Sequence, residues 1–148
     1  MLCHEVMLPL VFKCREDTPV VEFAQRMRDE QIGFLPIVDV KGIAVGVITD
    51  RDLALRVLAE RRRPSTPVRA VMTPAPLLTC LPDEPLGTAE RRMAEAKRSR
   101  ALVVDKQGVV LGVISLSDVS VAEGSLERTG NLMRNLSTRE APAAARNA

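Results

Sequence analysis

The chain has 148 residues, 46% of them hydrophobic, which is enough to fill one or two small cores. Its formal net charge of +2 and its lack of Trp and Tyr argue against a nucleic-acid partner, because such proteins usually carry a basic surface and often stack bases on aromatic rings. No apolar run approaches the roughly 20 residues that span a bilayer, and no signal-peptide pattern begins the chain. We therefore expect a cytoplasmic protein without membrane contact. Three scattered cysteines and one histidine predict neither a disulfide framework nor a bound metal.

The first half of the chain predicts two helices around a β-hairpin. Apolar residues recur at helical spacing after Pro19, and Asp17 or Thr18 is the predicted N-cap of that helix. A glycine-containing turn then separates two short apolar runs of strand type. In chain order the predictions are a helix over 20–30, strands over 34–38 and 43–48 joined at Lys41-Gly42, and a helix from Asp50.

The second half repeats this order after a charged, proline-interrupted stretch, which predicts a linker over residues 63–69. A C-terminal helix and tail are expected over 125–148, beyond the last repeated element. The predictions are a helix over 85–96, strands over 101–104 and 109–114 joined at Gln107-Gly108, a helix from Leu116 and a tail helix over 126–136.

The two halves are also related in sequence. When the chain is shifted by 66 positions, residues 46–52 (Gly-Val-Ile-Thr-Asp-Arg-Asp) align with residues 112–118 (Gly-Val-Ile-Ser-Leu-Ser-Asp). The Val-Met-Leu-Pro of residues 6–9 similarly matches a Val-Met-Thr-Pro that begins at Val71. Such self-similarity indicates an internal repeat, with repeat one over 1–62 and repeat two over 70–124.

The repeated pattern is Val-Met-x-Pro, an amphipathic helix, a strand ending in Val-Asp, and then Gly-Val-Ile-[Thr/Ser]-x-x-Asp. This pattern resembles the CBS (cystathionine β-synthase) domain over about residues 5–123, and a tandem pair is known as a Bateman module. The resemblance implies an α/β (α+β) fold of two β-α-β-β-α repeats packed with pseudo-two-fold symmetry. It also implies two ligand clefts, each combining the Thr/Ser-x-x-Asp of one repeat with strand-edge residues of the other. The implied residues are Val47, Thr49, Asp52, Thr73, Ser99 and Arg100 for cleft A, and Val113, Ser115, Asp118, Leu8, Ile32 and Gly33 for cleft B.

The chemistry of the Thr49-x-x-Asp52 motif suits a nucleotide. A strand that ends at Thr49 and feeds a helix places a hydroxyl and unpaired N–H donors at a helix N-terminus, which favours a phosphate. Asp52 lies about one turn further on, where its carboxylate can accept from both hydroxyls of a ribose. The alternative is that Asp52 and Asp118 are first-turn helix caps without a ligand role. Gly33 also has an alternative role, as the left-handed residue that ends the first helix.

The two implied clefts differ in charge. Cleft A contains the guanidinium of Arg100, which suits a phosphate, and the hydroxyl of Thr73. Arg51 and Arg56 on the following helix are further candidates to reach a phosphate. The matching positions of cleft B are apolar, namely Phe34 and Leu8.

We therefore expect a non-enzymatic regulatory module that binds an adenosine nucleotide such as AMP, ADP or ATP and needs no other cofactor. A single histidine, His4, and the lack of a Walker motif leave no evident catalytic set. One alternative is a ligand-free interaction or scaffold module, and another is a binder of S-adenosylmethionine or a related adenosyl compound. We further expect a homodimer that acts on a separate regulated protein.

Overall fold

A computed structural model describes residues 1–10, 12, 14–124 and 130 of the chain, so most of the predicted tail helix lies outside the described residues. The structure divides into two compact units. Unit 1 contains Met1–Pro9, Leu78–Asp105 and the described residues from Leu111 onward, whereas unit 2 contains Leu10–Leu77 and Lys106–Val110. The compact units and the sequence repeats therefore do not coincide, because each unit takes in segments of both repeats.

The predicted helices and strands of both repeats are present and differ from the predictions by about one residue at their ends. The helices are α1 (Cys3–Val6), α2 (Val20–Glu30), α3 (Asp50–Asp52, continuing as a π-helix over Leu53–Leu58), α4 (Leu86–Glu95) and α5 (Leu116–Glu123). The strands are β1 (Leu8–Pro9), β2 (Cys14–Arg15), β3 (Phe34–Val38), β4 (Ala44–Thr49), β5 (Thr73–Pro74), β6 (Thr79–Cys80), β7 (Arg100–Val104) and β8 (Val110–Ser115). No helix in the described part of the chain is long and apolar enough to cross a membrane.

Unit 2 is built on a four-stranded sheet in the order β2-β3-β4-β5. Strand β2 runs parallel to β3, and the other two pairs are antiparallel. Helix α2 presents its apolar side to this sheet because its hydrophobic residues recur at helical spacing. The buried residues of this core are Cys14, Val20, Phe23, Met27, Leu35, Ile37, Ile48, Val68 and Val71.

Unit 1 repeats the arrangement with a sheet in the order β1-β8-β7-β6. Strands β6 and β7 are parallel, and β1 pairs antiparallel with β8. Its separate core consists of Cys3, Cys80, Leu86, Ala89, Met93, Ala101, Val103, Ile114 and Val119. Two sheets with helices, one sheet in each unit, confirm the predicted mixed α+β class.

The repeated glycine of the Gly-Val-Ile motif is required by close packing of two strands. A Cβ atom on Gly46 would lie 3.0 Å from the backbone oxygen of Thr73 on β5. A Cβ atom on Gly112 would lie 2.6 Å from the backbone oxygen of Leu8 on β1. In both repeats, therefore, the glycine leaves room for a short edge strand, β5 or β1, to pair with the strand that carries the motif.

The ends of α2 differ from the sequence predictions. Pro19 occupies the N-cap and offers no side-chain cap, while the carboxylate of Asp17 instead pairs with Arg69. At the other end, Gln31 takes the left-handed conformation with φ of 53°, so the alternative role considered for Gly33 is wrong. Lys97, one repeat later, has the same conformation with φ of 51°.

All three cysteines are free and buried. Cys3 and Cys80 lie in the core of unit 1, and Cys14 lies in the core of unit 2. Burial is the largest cause that raises the pKa of each thiol, and it raises the pKa of Cys80 to about 12. We therefore assign these thiols to packing, since a reactive cysteine needs an accessible thiolate.

Candidate functional site

The Thr49-x-x-Asp52 motif forms a reciprocal cap at the start of α3. The backbone amide of Thr49 donates to Oδ2 of Asp52 at 3.0 Å, and the amide of Asp52 donates to the Thr49 hydroxyl at 3.1 Å. This is the capping-box arrangement, with aspartate in the place of the usual glutamate. The capping role considered from the sequence is thus present, and it fixes the direction in which the Asp52 carboxylate points.

The second repeat builds the same cap at the start of α5. The amide of Ser115 donates to Oδ2 of Asp118 at 2.8 Å, and the amide of Asp118 donates to the Ser115 hydroxyl at 3.2 Å. The hydroxyl of Ser115 also contacts that carboxylate oxygen. Both acids are partly buried, so each has limited contact with solvent.

In unit 2 the structure gathers several of the predicted residues around α3. Val47 and Thr73 are directly paired across β4 and β5, and Val47 lies two residues before the cap residue Thr49. Gly33 lies on the other side of the cap, where its carbonyl accepts from the amide of Asp50 at 3.1 Å. Ile32 precedes it and is 36% exposed, which leaves it accessible as an apolar contact.

In unit 1 the structure gathers the corresponding residues around α5. Val113 pairs directly with Leu8 across β8 and β1. The carbonyl of Ser99 accepts from the amide of Leu116 at 2.9 Å, and Arg100 begins β7 next to it. The combinations implied for clefts A and B take residues from both units, and those combinations stay a prediction.

The amides at the start of α3 are already used within the chain. In addition to the amides of Asp50 and Asp52, that of Arg51 donates to Oδ1 of Asp50 at 2.8 Å. The expectation that this helix end offers unpaired N–H donors is therefore wrong. A phosphate near α3 would need other donors, and a side-chain cation is the obvious kind.

Arg56 is a cation in the required position. One of its guanidinium nitrogens, Nη1, donates to the carbonyl of Val71 at 2.8 Å and to the hydroxyl of Thr73 at 3.2 Å. The other, Nη2, lies 3.4 Å from Oδ1 of Asp52, and the Arg56 side chain is 44% exposed. Arg56 therefore joins two predicted site residues, and half of its surface remains open to solvent. The sequence signal for the ion pair was the spacing of four residues on one helix.

Helix α5 of unit 1 has no basic residue in the position of Arg56. A shift of 66 positions places Ala122 where repeat one has Arg56, and the sequence of α5 contains no basic residue. Thr73 likewise corresponds to Leu8, because both residues pair with the valine of the motif. The two Asp-centred sites thus share their caps and differ in the charge on the helix that follows the aspartate.

Other candidate ligand groups are not clustered into a metal site within the described residues. His4 is exposed and its Nδ1 lies 3.0 Å from the carbonyl oxygen of Pro82. In the described part of the chain, no three His, Cys, Asp or Glu side chains are grouped to hold a metal ion.

Comparison with known proteins identifies relatives of both repeats. The CBS domain-containing protein YhcV of Bacillus subtilis (strain 168) is 35% identical over 118 residues, which cover 80% of this chain and 82% of that protein. The CBS domain pair of protein MJ0100, solved in complex with 5′-methylthioadenosine and S-adenosyl-L-methionine, aligns with a TM-score of 0.75 and 27% identity over 84% of this chain and 100% of that chain. The structure of CBSX2 in complex with AMP aligns with a TM-score of 0.70 and 25% identity, over 85% of this chain and 98% of that chain.

A family model also matches the chain directly. The model described as the CBS domain matches residues 3–59 and, separately, residues 68–123. These two matches correspond to the two repeats found in the sequence. The chain therefore belongs to the CBS domain family, and it contains a tandem pair of these domains.

Proposed function

We propose that this CBS pair is a non-catalytic regulatory module that binds an adenosine-containing nucleotide through Asp52, Asp118 or both. The observation that carries the proposal is the repeated cap, which holds one carboxylate at the end of each Gly-Val-Ile strand. Solved relatives support the ligand class, because MJ0100 holds 5′-methylthioadenosine and S-adenosyl-L-methionine, and CBSX2 holds AMP.

The cap and ribose binding are compatible uses of one carboxylate. An ionised carboxylate has about four lone-pair sites, and the cap uses Oδ2 for the backbone. Two further acceptor positions suffice for the adjacent hydroxyls of a ribose. Because the cap holds the Asp52 side chain in one orientation, less conformational entropy is lost when the ribose binds.

The adenine would be held by the apolar residues that flank each cap. In unit 2 these are Val47 and Ile32, and in unit 1 they are Val113 and Leu8. A pocket lined by aliphatic side chains with a few polar groups is the usual composition of a small-molecule site. Ligand binding would then regulate a separate protein, and we propose that the module acts as a homodimer.

The caps themselves favour a second candidate function, a protein-interaction module without a small ligand. A reciprocal cap stabilises a helix on its own, so Asp52 and Asp118 have a structural role in the absence of any nucleotide. The two candidates differ in one measurable respect. Only a ligand-binding module is stabilised by adenosine compounds, because a ligand that binds the folded state alone shifts unfolding.

The test is thermal unfolding with AMP, ATP, 5′-methylthioadenosine and S-adenosylmethionine, followed by calorimetry for any compound that stabilises. A ligand at about 100 times its Kd should add about 2.7 kcal/mol to the free energy of unfolding. The matched control is 2′-deoxy-AMP, which keeps the base and phosphate and lacks one hydroxyl of the ribose. Loss of about tenfold in affinity for 2′-deoxy-AMP supports the carboxylate–ribose contact, and equal affinity contradicts it. Stabilisation by none of the four compounds favours the interaction module.

A further inference from the structure

Building on the proposed function, we propose that Arg56 makes the Thr49–Asp52 site selective for adenosyl ligands that carry negative charge. At the Ser115–Asp118 site Ala122 stands in place of this arginine, so that site lacks this contribution to charge selectivity. The two repeats would thus differ in the charge on the helix that follows the aspartate, although they share one ribose-binding motif.

The first step concerns the position of the guanidinium. Arg56 is held by the Val71 carbonyl and the Thr73 hydroxyl, so its charge is fixed beside β5. It also faces the free side of the Asp52 carboxylate, at 3.4 Å from Oδ1. A ribose bound to Asp52 therefore brings the rest of its nucleoside within reach of this cation.

The second step concerns charge balance. In the free protein the Asp52 carboxylate is balanced by Arg56, whereas Asp118 has no arginine or lysine on its own helix. Since the first amides of α3 are already bonded within the chain, they do not compensate a bound phosphate. Arg56 supplies that compensation through charge-assisted hydrogen bonds, and it keeps a planar set of donors for the purpose.

The third step concerns rejection of other ligands. A cationic group near Arg56 would meet a like charge, and a neutral thioether would gain nothing from it. Beside Asp118 the same neutral ligand meets apolar Leu8 and no cation on α5. A phosphate at that site would face Asp118 without a compensating positive charge from α5.

The experiment measures the affinities of AMP and 5′-methylthioadenosine by calorimetry at low salt. The full chain carries Asp118→Ala, so that only the Thr49–Asp52 site is observed. Arg56→Met keeps the apolar stem and removes the charge, and it should weaken AMP by roughly 5–10-fold with less than about twofold change for 5′-methylthioadenosine. Arg62→Met, which removes an exposed charge of the same unit, is the matched control and should leave the ratio of the two affinities unchanged.

A gain-of-charge variant tests the same idea at the other site. Ala122 is exposed, so Ala122→Arg fits without disturbing the core. In an Asp52→Ala background, Ala122→Arg should shift the affinity ratio towards AMP by about 3–10-fold. This variant also carries the test if Arg56→Met does not fold.

The outcomes separate this proposal from the function on which it rests. A falling ratio in Arg56→Met or a rising ratio in Ala122→Arg supports the role of Arg56. An unchanged AMP preference in a folded Arg56→Met protein that still binds both ligands overturns the role of Arg56 and leaves the proposed function standing. Failure of the Asp118→Ala parent and of the unaltered chain to bind either ligand overturns both.

Discussion

Substitution of Asp52 separates its capping role from the ligand-binding role that we propose for it. Asp52→Ala removes the acceptor for the Thr49 amide and the partner of Arg56. Asp52→Asn keeps an amide oxygen that can accept from Thr49, and it replaces the other carboxylate oxygen and the negative charge by a neutral NH2 donor. A comparison of the two variants therefore distinguishes the helix cap from the charged ligand contact.

The expected loss of stability follows from the contacts. Asp52 is the N3 residue of the capping box, so its loss removes one of the two reciprocal hydrogen bonds, which contributes about 1 kcal/mol within a range of roughly 0.5–1.5 kcal/mol. The ion pair with Arg56 adds at most about 0.5 kcal/mol, because the guanidinium is 44% exposed and screened by water. We expect Asp52→Ala to lower the free energy of unfolding by about 1–2 kcal/mol and Asp52→Asn to lower it by less.

The expected loss of affinity follows from different contacts. A hydrogen bond to a charged group contributes about 1.5–3 kcal/mol, so both variants should weaken AMP by roughly 10–150-fold. Urea unfolding measures the loss of stability, and calorimetry measures the loss of AMP affinity. The control is Asp29→Ala, because Asp29 is an exposed acid on α2 that pairs with its neighbour Arg28. If Asp52→Ala is as stable as the unaltered chain, the capping argument is refuted. Unchanged AMP affinity in both Asp52→Ala and Asp118→Ala would refute the ribose assignment.

Three further predictions concern packing, pH and assembly. Gly112→Ala should destabilise the fold by about 1–3 kcal/mol in urea unfolding, and more than Gly46→Ala, because its Cβ meets rigid backbone at 2.6 Å. Between pH 9 and 12 the free energy of unfolding should fall by up to about 1.4 kcal/mol per pH unit because of Cys80. The Cys80 thiol of the unfolded chain ionises from its ordinary pKa of 9.0, while the buried thiol of the folded chain stays neutral. Cys80→Ala, measured under reducing conditions, should flatten this dependence of the unfolding free energy on pH. Light scattering should show a dimer, and a mass of 16.2 kDa at micromolar concentration would contradict it.

The fold was largely predictable from sequence because each repeat carries mutually consistent local signals. Helical spacing of Val20, Phe23 and Met27 located α2, and all three residues are buried against the sheet of unit 2. The glycine turns located both hairpins, with φ of 82° at Gly42 and 86° at Gly108. These features depend on residues that are close together in the chain, so a single sequence is enough to predict them.

The grouping of segments into units was not predictable in the same way. Nothing local indicates that β1 pairs with β8 or that β5 pairs with β4, because each edge strand has only two residues. The indication in the sequence was indirect: positions 46 and 112 are glycines because the edge strand lies too close to each of them for a Cβ atom. Edge pairings of this kind depend on contacts between distant segments, so periodicity along the chain does not reveal them.

The site shows the same division between local and distant contacts. Thr49 and Asp52 were predicted because the cap is a short-range pattern of three residues' separation. The contacts of Arg56 with Val71 and Thr73 join residues 15 and 17 positions apart, and sequence spacing gave only its pairing with Asp52. The expectation of free amides at α3 was wrong for a related reason, because the acceptor for the Asp50 amide is the carbonyl of Gly33, just before β3.

The shared cap allows the surroundings of each carboxylate to vary without loss of the helix start. The side chains of Thr49-x-x-Asp52 and Ser115-x-x-Asp118 cap their helices. Replacing either aspartate therefore lowers the stability of the fold whether or not a ligand is bound. Positions 56 and 122 lie on exposed faces of their helices and are free of that constraint. A change of charge there alters the surroundings of the carboxylate without altering the cap. Selectivity can therefore diverge between the repeats at the fourth residue after each aspartate, while the aspartate itself is retained by the fold.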